Sequence, residues 1–412
     1  MEQVAQAQAP LRQNRGFILG SLSFGHGISH LYDQGFPIFM PAIAASMSLN
    51  TVQVATLLSV RQVGSGVVNL GGGVLVDMLK RQWGLILTGC MLGSALAYAS
   101  VGASPSFAFL VLAVILISIP GSLWHLPATA ALSQRFPDRR GFAVAMHGFG
   151  SSIGNVLGPL MAGGMLTYML WRNALFLYTI PALLLAGFVW WSLKDVGREG
   201  VQEQQTALGS RFRHGLSLLK NPVVMALILT ATLRGIGLNA LFHWTPFYLE
   251  DPITGLGMSH FSAGYHFALL TGMGIVSAPF IGAASDRFGR KMVLVPGLIC
   301  ASLLSFVVVS VGDSLLLIPV FAGLGLFTFA LHQIIQAAVL DVVGRGTEAT
   351  AIGLIFGLNG IIGGASPFIA TLIIDHFGGF GSIFYYAGVL TAVSAFIVVL
   401  IPLRQRQDVN PA

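Results

Sequence analysis

Twelve apolar stretches follow one another along this chain, and nothing else in the sequence constrains it as strongly. They run over roughly 17–41, 52–78, 83–102, 107–134, 141–169, 173–193, 221–249, 262–284, 291–311, 314–341, 349–376 and 380–403. Each is close to the ~20 residues that a helix needs to cross bilayer hydrocarbon. Lipid offers no partner for backbone N–H and C=O groups, so spans of this length must be helical. Only 9% of the 412 residues are charged, against about 25% in soluble domains. That is too little polar surface to cover a water-exposed globule. The 51 glycines suit closely packed membrane helices. The fold class expected is an all-α membrane protein of twelve transmembrane helices in two pseudo-symmetric six-helix bundles.

The formal charge of +6 suggests a nucleic-acid partner only until the basic residues are placed. If the amino terminus lies inside, 18 of the 21 Lys and Arg residues fall in inside loops and tails, leaving Arg61, Arg172 and Arg234. The positive-inside rule then fixes both termini in the cytoplasm of a bacterial-type inner membrane. The polar segment Met1 to Arg15 precedes an apolar run beginning at Phe17 that is too long for a signal-peptide core. It reads as a retained first helix. The expected division is a tail over 1–16, a six-helix bundle over 17–193, a cytoplasmic linker over 194–220, a second bundle over 221–403 and a tail over 404–412.

The halves repeat. Asp77 and Asp286 are 209 residues apart, Pro159 and Pro367 are 208 apart, His125 and His332 are 207 apart, and Cys90 and Cys300 are 210 apart. A nearly constant offset across several spans implies two parallel six-helix repeats.

Within this frame the segment Gly282-Ala-Ala-Ser-Asp286-Arg287-Phe-Gly289-Arg290-Lys291 resembles the loop motif between helices eight and nine of the major facilitator superfamily. Its copy between helices two and three keeps Gly73 and Asp77 but has Met78 and Lys80 in place of the usual Arg and Gly. The run Gly154-Asn-Val-Leu-Gly158-Pro159-Leu-Met-Ala-Gly163-Gly164 is similar to the helix-five motif of antiporters and exporters in that superfamily. A looser likeness, through His26, His30 and Asp33 of helix one and Trp124-His125-x-Pro127 of helix four, is to the fosmidomycin-resistance-like branch. The resemblance implies the major facilitator fold, with helices one, four, seven and ten lining a central cavity. Physically, Asp77, Gly282, Asp286, Arg287 and Arg290 are expected to form a latch that closes the cytoplasmic side. The alternative is a plain topological anchor. Gly154, Gly158 and Gly163 give helix five a flat face, and Pro159 bends it.

An ionisable group at mid-bilayer costs about 2.5–3.5 kcal/mol on insertion scales, so each one calls for a role. His26, His30 and Asp33 share one face of helix one and are the expected proton-coupling groups. Arg61 and Arg234 cannot lose their charge. Each either pairs with a buried acid, Asp33 being the good candidate, or holds an anionic substrate. His125, His332, Gln333, Gln336 and Asn239 are the further substrate-binding candidates. His147 and His243 read as interfacial. No Walker A, GxSxG or HExxH pattern occurs, and the histidines show no local metal-ligand spacing. No enzyme activity, cofactor or metal is expected, and the energy source is a proton gradient.

The expected function is proton-coupled export, by antiport and alternating access, of a small organic anion or zwitterion. The expected partners are that substrate, protons and membrane lipids; no nucleic acid is expected, and the chain is expected to act as a monomer. Uptake of a carboxylate by proton symport is one alternative, and a non-transporting sensor or scaffold is the other.

Overall fold

The computed structural model describes residues 11–197, 220–342 and 359–403, without the side chains of Gly73, Val74, Asp77, Arg140, Gly141 and Phe329. Most of the expected linker, and the Asp77 member of the latch, therefore lie outside the described residues. Among those described, all regular structure is helical. The first half holds α1 (Arg15–Ser46), α2 (Thr51–Met78), α3 (Trp83–Ala103), α4 (Phe107–Arg135), α5 (Arg140–Tyr168) and α6 (Trp171–Leu193). The second holds α7 (Pro222–Glu250), α8 (His260–Phe288), α9 (Arg290–Val311), α10 (Leu317–Val342), α11 (Asn359–Phe377) and α12 (Ser382–Leu400). The twelve spans expected from the sequence are these twelve elements.

Local chemistry sets the ends. Asn14 caps α1 by accepting from Gly16 and Phe17, Asn50 and Gln53 form a capping box on α2, and Asn221 caps α7 with Pro222 at its first turn. Gly289, at φ 95°, makes the turn between α8 and α9, a conformation that L side chains rarely adopt. α1 runs past its expected end at 41, because Pro37 and Pro41 lie within it without breaking it. α8 is two helical pieces, His260–Gly272 and Gly274–Phe288, meeting at Met273.

Nine of the described helices are long and apolar enough to cross a membrane by composition alone. α1, α2 and α5 fall outside that set, and they are the helices that carry His26, His30, Asp33, Arg61 and the glycine motif. Each half packs internally, α1 on α5 and α3 on α6 in the first, α7 and α9 on α12 in the second. The near face of the bundle is the end where α1 begins; the far face is the opposite end.

Among the described residues, two hydrogen bonds between the halves end on carbonyls near a helix proline, and one of those carbonyls is freed by the proline itself. Pro159 has no N–H to give the carbonyl four residues back, and that carbonyl, of Asn155, accepts the Thr271 hydroxyl of α8 at 2.8 Å. Near Pro367 the helix is interrupted, and the Gly364 carbonyl accepts the Ser59 hydroxyl of α2 at 2.6 Å. Asn155 and Gly364 are 209 residues apart, so the two acceptors hold corresponding places in the halves. Glycine brings the helices close beside both. A Cβ on Gly163 would stand 2.4 Å from the His260 carbonyl oxygen, and one on Gly360 would stand 2.6 Å from the Gly66 Cα. With Thr371 reaching the Thr51 carbonyl at 3.4 Å, these described contacts lie from the middle of the bundle to its far face.

Candidate functional site

The polar groups of the first half gather where α1, α2, α4 and α5 meet. α1 approaches α5 closely: a Cβ on Gly154 would lie 2.1 Å from the Gly27 carbonyl oxygen, and one on Gly158 would lie 2.4 Å from that of Leu31. The approach places His26 and His30, one turn apart on α1, against α5. His26 donates from Nδ1 to the His147 carbonyl at 2.8 Å, and its ring stacks on that of His147 at 4.0 Å. His30 Nδ1 lies 2.8 Å from Asn155 Oδ1. His125 of α4 completes the group, with ring centroids 4.8 Å from His26 and 5.5 Å from His30. A small side chain is needed at Gly25, because Trp124 fills the space where a Cβ would stand, 2.3 Å away.

One turn further along α1, Asp33 forms an ion pair with Arg61 of α2. Proline shapes this contact too. Pro37 cannot bond the Asp33 carbonyl, and Arg61 reaches that oxygen at 3.4 Å as well. The guanidinium also lies over the Phe36 ring at 5.1 Å. Arg61 is 12% exposed and Asp33 45%, so the carboxylate is the accessible member. His243 of α7, in the other half, and Tyr98 of α3 stand within electrostatic range of both charges. His30 and His125 stand within range of Asp33.

The second half is built differently. Arg234 of α7 is 5% exposed and donates to the Thr328 carbonyl and, at 3.3 Å, to that of Phe327 on α10. It stands within electrostatic range of His332, whose Nε2 is 2.8 Å from Gln336 Nε2. Asn239 lies apart from these, where a Cβ on Gly363 would meet its Nδ2 at 2.8 Å and Gln62 of α2 at 3.4 Å. Gln333 is exposed and does not join them. The structure thus brings His26, His30 and His125 together, and separately Asp33 with Arg61 and Arg234 with His332. His147 and His243, read as interfacial from their distance along the helix, are both 5% exposed and belong to the polar interior. Position along a helix gives depth; it does not say which way the ring faces.

At the near face Arg290 bonds Asp286 at 2.5 Å, Asp341 at 2.8 Å and Ser285 at 3.1 Å. This network joins α8, α9 and α10, all of one half. Arg290 makes no bond to the other half among the described residues, in a bundle whose described inter-half contacts lie toward the other face. Gly282 is open, and Arg287 lies 5.3 Å from the Phe288 ring. In the first half Arg15 pairs with Asp138 of the α4–α5 loop. That hydrogen bond holds the Asp138 carboxyl below the ordinary aspartate value.

Comparison with known proteins bears on this site. The family model described as Major Facilitator Superfamily matches residues 22–283 and 252–412. The chain is 24% identical to the fosmidomycin resistance protein of Escherichia coli (strain K12), over 87% of this chain and 86% of that protein. It is also 24% identical to monocarboxylate transporter 12 of Rattus norvegicus, over 81% and 74% respectively. Its fold is similar to the crystal structure of a bacterial homologue of the human lysosomal transporter Spinster, in an inward-facing, unoccupied conformation. The TM-score is 0.70 and the identity 16%, with 94% of this chain and 95% of that chain covered.

Proposed function

Because this chain belongs to the major facilitator superfamily, a family of multi-pass membrane transporters of small molecules and not of enzymes, we propose that it couples proton movement to transport of a small organic anion, with the Asp33–Arg61 pair as the coupling switch. One observation carries this reading: a carboxylate and a guanidinium inside the bundle neutralise each other, with a residue of the opposite half, His243, in range of both. A substrate carboxylate that takes Arg61 deprives Asp33 of its counter-charge. Asp33, 45% exposed in this state, then takes a proton once closure of the bundle shuts water away from it, since an unpaired carboxylate in a poor dielectric favours its neutral form. Substrate and proton are thus loaded together. Inter-half contacts toward the far face support an inward-facing state, with the near face cytoplasmic by the positive-inside argument. Rocking of the halves about the α5–α8 and α2–α11 contacts would give alternating access.

This reading moves the weight from antiport to proton–anion symport. Export by antiport stays as the second reading, favoured by the helix-five glycine motif and by the likeness to a resistance protein. It would hold for a zwitterion whose amine competes with the proton for Asp33. Proteoliposomes carrying an internal pH dye, given a monocarboxylate such as lactate, distinguish the two. In symport, substrate and protons move in the same direction; in antiport they move oppositely. Asp33→Asn should abolish the coupled pH change while preserving substrate exchange. A coupled pH change that survives in Asp33→Asn would end the assignment.

A further inference from the structure

The cluster of imidazoles beside the ion pair has a property that proton coupling does not use. His26, His30 and His125 each offer a ring nitrogen, and these nitrogens lie within 4.8 Å of one another. A carbonyl oxygen can only accept. The bond from His26 to the His147 carbonyl therefore puts the proton on Nδ1 and the lone pair on Nε2. His26 is 6% exposed, and that Nε2 has no hydrogen-bond partner among the described residues. A buried acceptor left this way costs about 1–3 kcal/mol. His30 repeats the arrangement with its Nδ1 on Asn155 Oδ1. An imidazole whose far N–H is fixed on a carbonyl, so that its other nitrogen is free and basic, is the outer-shell arrangement of metal-ligating histidines.

We propose that His26, His30 and His125 bind a borderline divalent transition-metal ion such as Zn²⁺ or Co²⁺, with Asn155 and the His147 carbonyl as the outer shell. Three neutral imidazoles without thiolate or carboxylate suit this class of ion and not Mg²⁺ or Ca²⁺. Three protein ligands leave a fourth position for water or a substrate atom. Ligand nitrogens around a tetrahedral ion with bonds of about 2.0–2.1 Å stand roughly 3.3 Å apart, so binding draws the rings together. His125, whose ring has no hydrogen bond among the described residues, is the one that turns. The site was invisible to a search for local spacing because its ligands come from α1 and α4, with His30 and His125 95 residues apart.

The test uses the full chain in detergent, stripped with EDTA and purified without a histidine tag, so no transport is needed and the coupling proposal is not at stake. Titration with Co²⁺ should give one ion per chain and the visible absorption of a four-coordinate site. His26→Ala and His125→Ala should each weaken binding by more than about 100-fold, and Asn155→Ala by about 10–100-fold, the usual outer-shell effect. The exposed His376→Ala should bind as the parent does. X-ray absorption at the zinc edge of the unmutated protein, which no folding defect can confound, should count three imidazole nitrogens. Absence of saturable Co²⁺ binding, binding unchanged in His26→Ala and His125→Ala, or a zinc shell without imidazole would each overturn the site.

Discussion

The interiors of the two halves descend from one plan and have been filled with opposite chemistry. His26 on α1 and Arg234 on α7 are 208 residues apart, the offset that also separates Pro159 from Pro367. His125 and His332, 207 apart, are their neighbours on α4 and α10. In the first half, therefore, imidazole meets imidazole at 4.8 Å. In the second, a permanent cation is seated on the carbonyls of Phe327 and Thr328, within range of His332. The first arrangement offers lone pairs to a cation. The second repels one and holds positive charge in place. The packing differs at matched positions as well. Gly27 faces Gly150, whose carbonyl oxygen would stand 2.9 Å from a Cβ on Gly27. The counterpart, Gly235, faces the side chain of Asn359, 3.5 Å from such a Cβ. Close approach of α1 to α5 builds the imidazole cluster, whereas the side chain of Asn359 keeps α11 further from α7.

The largest effect should come from breaking that approach. Gly154→Leu puts its Cβ 2.1 Å from the Gly27 carbonyl oxygen and against Leu31 backbone, where neither neighbour can turn away. Overpacking alone costs about 1–3 kcal/mol; a backbone clash shared by two helices should cost more. The expected result is loss of the monodisperse peak in detergent chromatography. Gly235→Ala meets only ordinary contact and should elute as the parent does. Equal behaviour of the two variants would remove the packing half of the comparison.

Arg234 sharpens the other half. Among the described residues no carboxylate pairs with it, and a buried charge held only by carbonyls is weak evidence for stability. Arg234→Met, similar in volume, should leave the melting temperature close to that of the parent while lowering transport by about 10-fold or more, the factor in rate that 1.36 kcal/mol supplies. Arg61→Met strips the partner from Asp33. Its stability cost should stay modest, because Asp33 is 45% exposed and solvent screens it. If Arg234→Met unfolds the protein while transport per folded molecule is unchanged, the arginine is structural glue and the second half holds no functional charge.

Much of the fold was legible because the bilayer dictates length: nearly every span could be placed within a few residues from apolar runs and basic loops. The first span ended too early, at 41, where α1 continues to Ser46 through Pro37 and Pro41. The site was legible in pieces. The i, i+4 spacing of His26 and His30 gave a face, and Asp33 stood out as the acid able to meet Arg61, although two arginines competed for it. The rest depended on azimuth. Depth along α5 and α7 did not tell which way His147 and His243 point, and both lie inside. Nor could the sequence say that the carbonyls freed by Pro37 and Pro159 would be taken by Arg61 and Thr271, since those partners lie on other helices.

The near face offers the smallest test of asymmetry. In the second half Arg290, 21% exposed, ties Asp286 and Asp341 across three helices. In the first, Arg15 and Asp138 pair while roughly half exposed, at 46% and 48%. Arg290→Gln should therefore lower stability by on the order of 1 kcal/mol, readable as a drop in melting temperature at pH 7. Arg15→Gln should give a shift too small to resolve at the same pH and physiological salt, because water screens both groups. The pH dependence of that small effect has a definite sign. The Arg15 hydrogen bond lowers the folded-state value of Asp138, so whatever the pair contributes is fully present above the unfolded aspartate value of about 3.9. It is lost as pH falls through the lower folded value. Parent and Arg15→Gln should consequently converge in acid. A gap that widens below pH 4, or one at pH 7 as large as that of Arg290→Gln, would mean that Arg15 anchors the first half through some contact other than Asp138.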